Sequence, residues 1–315
     1  MSSNCMVSII CNTYNHEKYI KETLESLINQ KTDFEYEILV HDDASTDKTP
    51  EIIKEYENEY PNIIKPIYQT ENQHSKRVGI SRKFQYPRAI GKYIAFCEGD
   101  DFWTDVNKLQ KQVDFLEKHP EYIACVHKYK VVDEESAEYN IKTFGDYENE
   151  GDYTFNDFFS NELPSQVATL LVRNIFSDKK DGYPKEFSKA NIPGDIVLYF
   201  YILIHGKIYR MSDTMSAYRF IHKKDGKSYS SRIMRKAFNY KYWQGLCEFE
   251  KIIYEVYGIK VYFKERRLIY AVGVITDLRK AFNMQNFKNA GLIILKQPGT
   301  LKAFIKMLLK KFMHN

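Results

Sequence analysis

The chain has 315 residues, of which 43% are hydrophobic and 28% are charged, a composition typical of a folded protein with a sizeable core. Its formal net charge is only +4, which argues against nucleic acid as a partner. No apolar stretch has the length of a membrane span, no signal-peptide core is present, and the five cysteines show no C-x-x-C spacing. We therefore expect a cytoplasmic protein with reduced thiols.

The first 130 residues alternate strand and helix signals. Short apolar runs bounded by polar residues predict buried strands, and between them apolar residues recur at helical spacing. Asn15 and the Asp47–Pro50 stretch are suited to begin two of the helices. This order indicates an α/β protein with a Rossmann-like, mainly parallel sheet flanked by helices. The strands are predicted at 6–11, 36–40, 63–68 and 93–97, and the helices around 20–28, 52–56, 79–90 and 109–116.

The composition changes after the first 130 residues. Residues 133–152 are acidic and aperiodic, which predicts an exposed loop or hairpin insertion. From 153 onward the pattern turns helical and increasingly basic, so we expect a mostly helical C-terminal extension. Within it, 196–204 is apolar nearly all round, which indicates a buried helix.

Three carboxylates, Glu98, Asp100 and Asp101, directly follow the fourth predicted strand. Open α/β sheets bind ligands at the carboxyl ends of their strands. Carboxylates gathered there repel one another unless a cation lies between them, and Mg²⁺ or Mn²⁺ shared with substrate phosphates is the usual solution. A solvated acidic turn is the alternative for this segment taken alone.

Two further polar segments follow the first two strands, C-N-T-Y-N at 11–15 and V-H-D-D-A-S-T-D at 40–47. Because the carboxyl ends of parallel strands meet at one edge, the fold would bring both segments to the acidic one. Asp42 or Asp43 would there accept hydrogen bonds from a nucleobase N–H or a ribose hydroxyl. The alternative is that Asp42, Asp43 and Asp47 are only turn and cap residues.

In order and spacing, V-S-I-I-C-N-T-Y-N at 7–15, D-D-A-S-T-D at 42–47 and E-G-D-D at 98–101 resemble the signature of family 2 glycosyltransferases with the GT-A fold. The resemblance extends to about Glu121. It implies inverting transfer of a hexosyl or N-acetylhexosaminyl group from a nucleotide-sugar donor, usually a UDP-sugar, with a Mn²⁺ or Mg²⁺ ion. The acceptor would be a hydroxyl of a glycan or lipid-linked saccharide in bacterial polysaccharide synthesis.

The resemblance also implies roles for single residues. The first two segments would contact the uracil and ribose of the donor, and 98–100 matches the D-x-D motif. In that motif the last acid, Asp100, contacts the metal and pyrophosphate, with Asp101 as an adjacent acid. The expected donor-contacting residues are Thr13, Tyr14, Asn15, Asp42, Asp43, Glu98, Gly99 and Arg219.

The sequence departs from the family pattern at two positions. Ala44 stands where the family commonly has glycine, which is tolerated if its φ is negative. Glu98 replaces the first aspartate of D-x-D, and its longer side chain would reach the ribose or reorganise around the metal.

Asp195 is the candidate general base, which would deprotonate the acceptor hydroxyl. The segment N-I-P-G-D at 191–195 resembles the part of the family that places an acid at the start of a helix beneath the acceptor. The residues alone favour a helix cap at Asp195, whereas the resemblance favours the base, and the two roles are compatible.

The segment A-Y-R-F-I-H at 217–222 resembles the family's Y-R-x-H, with one residue more than usual between Arg219 and His222. His222 would bind the metal or the pyrophosphate through a ring nitrogen, and Arg219 would bind phosphate. A surface histidine and a structural ion pair are the respective alternatives.

We predict three regions. Residues 1–130 form a nucleotide-sugar-binding half and 131–225 an acceptor-binding half of the same catalytic domain, and 226–315 form a helical region with a basic amphipathic tail. The tail, 301–313, would contact the cytoplasmic membrane face or pack on its own domain. Its apolar face comprises Leu301, Phe304, Ile305, Leu308 and Phe312.

Two other functions compete with glycosyl transfer. A nucleotidyltransferase would carry a glycine-rich phosphate loop after the first strand, and 11–15 offers none. A catalytically silent sugar-nucleotide-binding or assembly protein would have no need of intact acids at Asp42, Asp100 and Asp195.

Overall fold

The computed structural model describes residues 5–76, 78–140, 146–160, 163–176, 184–221, 239–280, 284–297, 299–303 and 305, without the side chains of 277–280. The chain forms two compact units. The first contains 1–158, 162–188 and 195–220, and the second contains 159–161, 189–194 and 221–315.

The first unit contains a mixed sheet with nine strands among the described residues. Its strand order is β3-β2-β1-β4-β8-β6-β9-β5, and β7 pairs with β9. The strands are β1 (Cys5–Thr13), β2 (Glu35–Asp42), β3 (Ile64–Tyr68), β4 (Tyr93–Phe96), β5 (Phe102–Trp103), β6 (Tyr122–Val132), β7 (Gly151–Tyr153), β8 (Leu171–Arg173) and β9 (Lys207–Arg219).

The pairing confirms the predicted α/β fold and locates its parallel part. Strands β1 to β4 pair in parallel, as the alternating pattern predicts. Strand β8 joins this part antiparallel to β4 and β6, and β6 pairs in parallel with β9. The prediction of a helical pattern from 153 onward is wrong for 171–173 and 207–219. Strand β8 is too short to show periodicity, and pairing with distant segments determines both strands.

Amphipathic helices cover the sheet of the first unit. In α1 the residues Ile20, Leu24 and Leu27 are fully buried, as their spacing predicts. The stretch around 79–90 forms only two short turns, Ser81–Gln85 and Tyr86–Arg88, because Pro87 cannot continue a helix. The helices that lie wholly or almost wholly in this unit include α1 (Ile20–Ile28), α2 (Thr49–Glu59), α3 (Lys108–Lys118), α4 (Phe155–Phe159) and α5 (Gly194–Leu203).

Helix α5 confirms the predicted buried helix, because every residue from 196 to 203 is buried.

The acidic insertion contains some β-pairing in addition to loop structure. Val132 and Glu138 form an antiparallel bridge, and β7, near the end of the insertion, pairs with β9.

Helices form the second unit, as expected for the C-terminal extension. Trp243, Ala271 and Ile293 lie in their shared core, and Arg267 forms an ion pair of 2.8 Å with Glu250. The helices are α6 (Asn239–Tyr257), α7 (Lys264–Lys280) and α8 (Met284–Lys296). Within the described residues, no helix is long and apolar enough to cross a membrane.

Two expectations concern the tail and the cysteines. Of the predicted apolar face, Leu301 and Ile305 are described and exposed, while Phe304, Leu308 and Phe312 lie outside the described residues. All five cysteines are free, which confirms the expectation of thiols, and Cys11, Cys97 and Cys125 are buried.

Candidate active site

The loops after β1 and β2 are joined by hydrogen bonds. The backbone N–H of Asn15 donates to Ser45 Oγ at 2.8 Å, and Asn15 Oδ1 accepts from the Thr46 N–H at 2.8 Å. Asn15 has a φ of 55° and does not cap α1, which begins at Ile20 without a side-chain cap. The prediction that Asn15 caps the helix is therefore wrong. Its short polar side chain tolerates the left-handed conformation and joins the two loops.

The adjacent residues Asp42 and Asp43 have different environments, although both are buried. Both carboxylate oxygens of Asp43 accept backbone N–H groups, from Gln73 at 2.7 Å and His74 at 3.0 Å. In Asp42, Oδ2 accepts from the Ser45 N–H at 3.2 Å. Asp42 Oδ1 is buried without a hydrogen-bond partner among the described residues.

This difference separates the roles of the two acids. Burial raises the pKa of Asp42, because its charged form is poorly compensated. A buried acceptor without a partner is unfavourable, and an N–H or hydroxyl group of a ligand would satisfy it. Asp42 is thus suited to bind a nucleoside, whereas the carboxylate of Asp43 holds the segment around 73–74.

Ala44 has a φ of 61°, in the left-handed region. The condition under which alanine would be tolerated, a negative φ, is therefore not met, and the alanine occupies a conformation that favours glycine. An L-residue with a Cβ is less stable there by roughly 1–2 kcal/mol. The neighbouring contacts of Asp42, Asp43 and Ser45 hold the turn in this conformation despite the cost.

Gly99 lies directly against the end of β1. A Cβ at this position would be 2.5 Å from Thr13 Oγ1 and 2.9 Å from His16 Nδ1, and the Gly99 N–H donates to Asn12 O at 2.9 Å. Glycine therefore allows the acidic segment to approach β1. Thr13 is buried, and Tyr14 beside it is 43% exposed, which leaves its ring accessible to a ligand.

His16 belongs to the same group of residues, although it is not among the site residues predicted from the sequence. Its Nδ1 lies 3.2 Å from Thr13 Oγ1, and its Nε2 lies 3.7 Å from Asp100 Oδ2. The signal that would have found it is its position three residues after Thr13, in a segment already expected at the site.

Glu98 and Asp195 are brought together from distant parts of the chain. The protein surrounding the Glu98 carboxyl, followed by the charges of Asp100 and Asp195, raises the pKa of Glu98 to about 7. The Glu98 side chain also reaches solvent, and the two neighbouring negative charges disfavour its ionised form. Asp195 is the second residue of α5, and its Oδ1 accepts from the Ile196 N–H at 2.8 Å.

Asp101 and Arg219 form a buried contact beneath the acidic segment. Asp101 Oδ1 accepts from the backbone N–H of Arg219 at 2.8 Å. Burial, followed by the charge of Asp100, raises the pKa of Asp101 well above its usual range. Asp101 is thus buried, whereas Glu98 is exposed to solvent.

The Arg219 side chain is only 1% exposed, and each of its guanidinium nitrogens donates to protein oxygens. The structure therefore contradicts the prediction that Arg219 contacts the donor phosphates and favours the structural alternative. Of the other predicted ligands, His222 lies outside the described residues.

Glu98 and Asp100 supply the carboxylate oxygens that a hard divalent ion prefers. Among the described residues, no group of three or more His, Cys, Asp or Glu side chains is arranged as a complete metal site. The neighbouring negative charges that raise the pKa of Glu98 would be compensated by a bound cation. The remaining ligands of that cation would come from phosphates and water. These two side chains therefore fit the expected metal.

Residues 8–176 of the chain match the family model described as glycosyl transferase family 2. An uncharacterized protein of Mycobacterium tuberculosis is 35% identical over 220 residues, which cover 68% of this chain and 58% of that protein. The putative teichuronic acid biosynthesis glycosyltransferase TuaG of Bacillus subtilis is 35% identical over 111 residues, which cover 35% of this chain and 42% of TuaG. This chain thus matches less than two thirds of the length of these relatives.

The structure also resembles that of S. aureus TarS residues 1–349 in complex with UDP. The TM-score is 0.64 at 19% identity, and the alignment covers 95% of this chain and 83% of TarS 1–349. At this level of identity the similarity concerns the fold, and it confirms the GT-A architecture expected from the sequence.

Proposed function

The chain belongs to glycosyl transferase family 2, and on this premise we propose that it transfers a sugar from a UDP-sugar to a hydroxyl of a glycan or lipid-linked acceptor. The observation that carries the proposal is that the charges of Asp100, after β4, and of Asp195, at the start of α5, both raise the pKa of Glu98. The name of the relative TuaG supports a reaction in the synthesis of a surface polysaccharide.

The nucleoside half of the donor would bind at the ends of β1 and β2. Asp42 Oδ1 would accept an N–H from the base, which satisfies an oxygen that is otherwise buried without a partner among the described residues. The exposed ring of Tyr14 would stack on the base or the ribose. Gly99 would let the acidic segment approach the ribose and the diphosphate without steric clash.

The diphosphate would lie beside Glu98 and Asp100. A divalent ion held by Asp100, with Glu98 beside it, would stabilise the negative charge of the departing diphosphate. His16, 3.7 Å from Asp100, would help to orient this carboxylate.

Asp195 would act as the general base in a direct displacement. The acceptor oxygen would form its bond to the anomeric carbon while the bond from that carbon to the diphosphate oxygen breaks, and Asp195 would take the hydroxyl proton. Attack from the face opposite the leaving group would invert the anomeric configuration. The hydrogen bond from the Ile196 N–H fixes the carboxylate at the start of α5.

A donor panel tests this function. UDP-, GDP- and CMP-sugars are incubated with the protein, with Mn²⁺ or with EDTA, and release of the nucleoside diphosphate or monophosphate is measured. We expect metal-dependent turnover of a UDP-sugar that is lost in Asp100→Asn. Full activity in EDTA, a clear preference for GDP- or CMP-sugars, or binding of UDP-sugars without turnover in the presence of acceptor glycans would contradict the proposal.

A further inference from the structure

Arg219, the last residue of β9, connects three segments that are far apart in the sequence. Its NH2 group donates to Glu22 Oε2 in α1 at 2.5 Å. Its NH1 group donates to Asp133 O and to Ser136 Oγ, both at 3.0 Å, in the acidic insertion. Its Nε donates to the carbonyl of Asp100 at 2.9 Å. One buried side chain therefore fixes the acidic segment relative to α1 and to the insertion.

The acidic segment is held at several points. The backbone N–H of Arg219 donates to Asp101 Oδ1 at 2.8 Å, next to the side-chain contact with the Asp100 carbonyl. In addition, Thr23 Oγ1 of α1 donates to Asp101 O at 2.7 Å. The backbone is thus held at Asp100 and at Asp101, while the carboxylate of Asp100 remains 23% exposed.

The chemistry of arginine suits this position. A planar guanidinium directs several N–H groups at once toward separate acceptors, which a single ammonium group cannot reproduce. The buried positive charge is balanced by Glu22 and lies 4.6 Å from the centroid of the Tyr19 ring. A lysine would retain the charge but lose the simultaneous contacts with Asp100 and with Asp133 or Ser136.

We infer that Arg219, braced by Glu22, is a positioning residue that holds the backbone of Asp100 where its carboxylate can bind the metal–diphosphate part of the donor. This inference rests on the proposed function, because it assigns Arg219 a role toward the ion that Asp100 would hold. Hydrogen-bonding partners of ligating groups typically affect metal affinity by roughly 10–100-fold.

The test compares Arg219→Lys and Glu22→Ala with Arg173→Lys. Arg173 is a matched control, because it also donates to backbone carbonyls, those of Tyr122 at 2.9 Å and Leu116 at 2.5 Å, but belongs to β8. Calorimetry measures UDP affinity with Mn²⁺ and with EDTA. Electron paramagnetic resonance measures the Mn²⁺ bound in the presence of UDP.

We expect Arg219→Lys to weaken Mn²⁺ binding by roughly 10–100-fold while the affinity for UDP in EDTA stays within about 2-fold. Glu22→Ala should also weaken Mn²⁺ binding, but by a smaller factor, because Arg219 keeps its contact with Asp100. Arg173→Lys should lower the melting temperature without changing Mn²⁺ binding.

Unchanged Mn²⁺ binding in folded Arg219→Lys would overturn the inference. If Arg219→Lys does not fold, unchanged Mn²⁺ binding in Glu22→Ala would overturn it. The inference would also be overturned if Arg173→Lys weakens Mn²⁺ binding as much as Arg219→Lys does, because the effect would then be one of general stability. Asp100→Asn distinguishes this failure from that of the proposed function. If Asp100→Asn binds Mn²⁺ normally, the assignment of the metal to Asp100 fails, whatever Arg219 does.

Discussion

The carboxylates of Glu98 and Asp195 lie close enough for the charge of Asp195 to contribute to the raised pKa of Glu98. One belongs to the segment after β4 and the other to the first turn of α5. In the proposed reaction, this relationship brings the base close to the group that binds the donor. It also means that the two acids are not independent, so a change at Asp195 alters the protonation of Glu98.

Asp195→Asn tests the assignment of the base. At the second residue of α5, the amide oxygen of asparagine can still accept the Ile196 N–H, so the melting temperature and the UDP affinity should remain close to those of the wild type. The amide cannot take up the acceptor proton, and transfer should fall by about 10²-fold or more. Initial rates of transfer to a glycan acceptor measure the effect. Normal transfer by the variant would leave Asp195 with only a structural role in the first turn of α5.

Asp42→Asn and Asp43→Asn should separate the two adjacent acids. Asp42→Asn should weaken UDP binding, because a charge-assisted hydrogen bond of roughly 1.5–3 kcal/mol is lost, while the protein remains folded. Asp43→Asn should mainly lower the free energy of unfolding, since an amide cannot accept both the Gln73 and the His74 N–H groups. Calorimetry with UDP and urea unfolding measure the two effects. The assignment fails if the variants behave alike.

Ala44→Gly should stabilise the protein. The residue has a φ of 61°, where a Cβ is unfavourable, and glycine removes this strain at the cost of a more flexible unfolded chain. We expect a net gain of about 0.5–1 kcal/mol in the free energy of unfolding. Ala137→Gly is the control. Ala137 lies in the acidic insertion and is not one of the residues with positive φ, so this substitution should not stabilise the protein. A lower stability of Ala44→Gly in urea unfolding would contradict this explanation.

The amphipathic tail remains a prediction from the sequence. If 301–313 docks on anionic membrane, its apolar face inserts and its lysines add attraction of about 1 kcal/mol each, which should fade at high salt. Co-sedimentation with anionic vesicles compares the full chain with a truncation that ends at Pro298. Equal sedimentation of both proteins, or of neither at low salt, would favour packing of the tail on its own domain.

The sequence predicts the site best where local patterns determine structure. The strands β1, β2 and β4 are short apolar runs, and their polar ends at 13–15, 42–43 and 98–100 identify the candidate site directly. The sequence does not predict contacts made by distant segments. Glu22 and Arg219 are 197 residues apart, and no spacing along the chain indicates their ion pair.

The sequence also does not predict the backbone conformation of the loops after β1 and β2. Ala44 and Asn15 both adopt positive φ because the two loops constrain each other, as the hydrogen bonds from Asn15 N to Ser45 Oγ and from Thr46 N to Asn15 Oδ1 show. Residue type alone would favour negative φ for the alanine. The strain at Ala44 therefore follows from the joined loops and becomes visible only in the structure.

Lys108 provides a prediction about pH. Its side chain is fully buried, with Nζ 2.7 Å from Gln112 Oε1 and 3.8 Å from the centroid of the Trp103 ring. Burial lowers the pKa of Lys108 to about 7, since a charged amine is poorly solvated there. Between this value and the ordinary lysine pKa of about 10.4, the unfolded chain binds one proton more than the folded protein.

The stability contributed by this group should therefore rise with pH from about 7 to about 10, by at most about 1.4 kcal/mol per pH unit. Lys108→Met should remove this slope, whatever its effect on stability at pH 7. Lys118→Met, on the exposed face of the same helix, should leave the slope unchanged. Urea unfolding at pH 7, 8 and 9 measures the three slopes. If the wild type and Lys108→Met give parallel lines, the buried Lys108 keeps its proton throughout this range, and the lowered pKa is wrong.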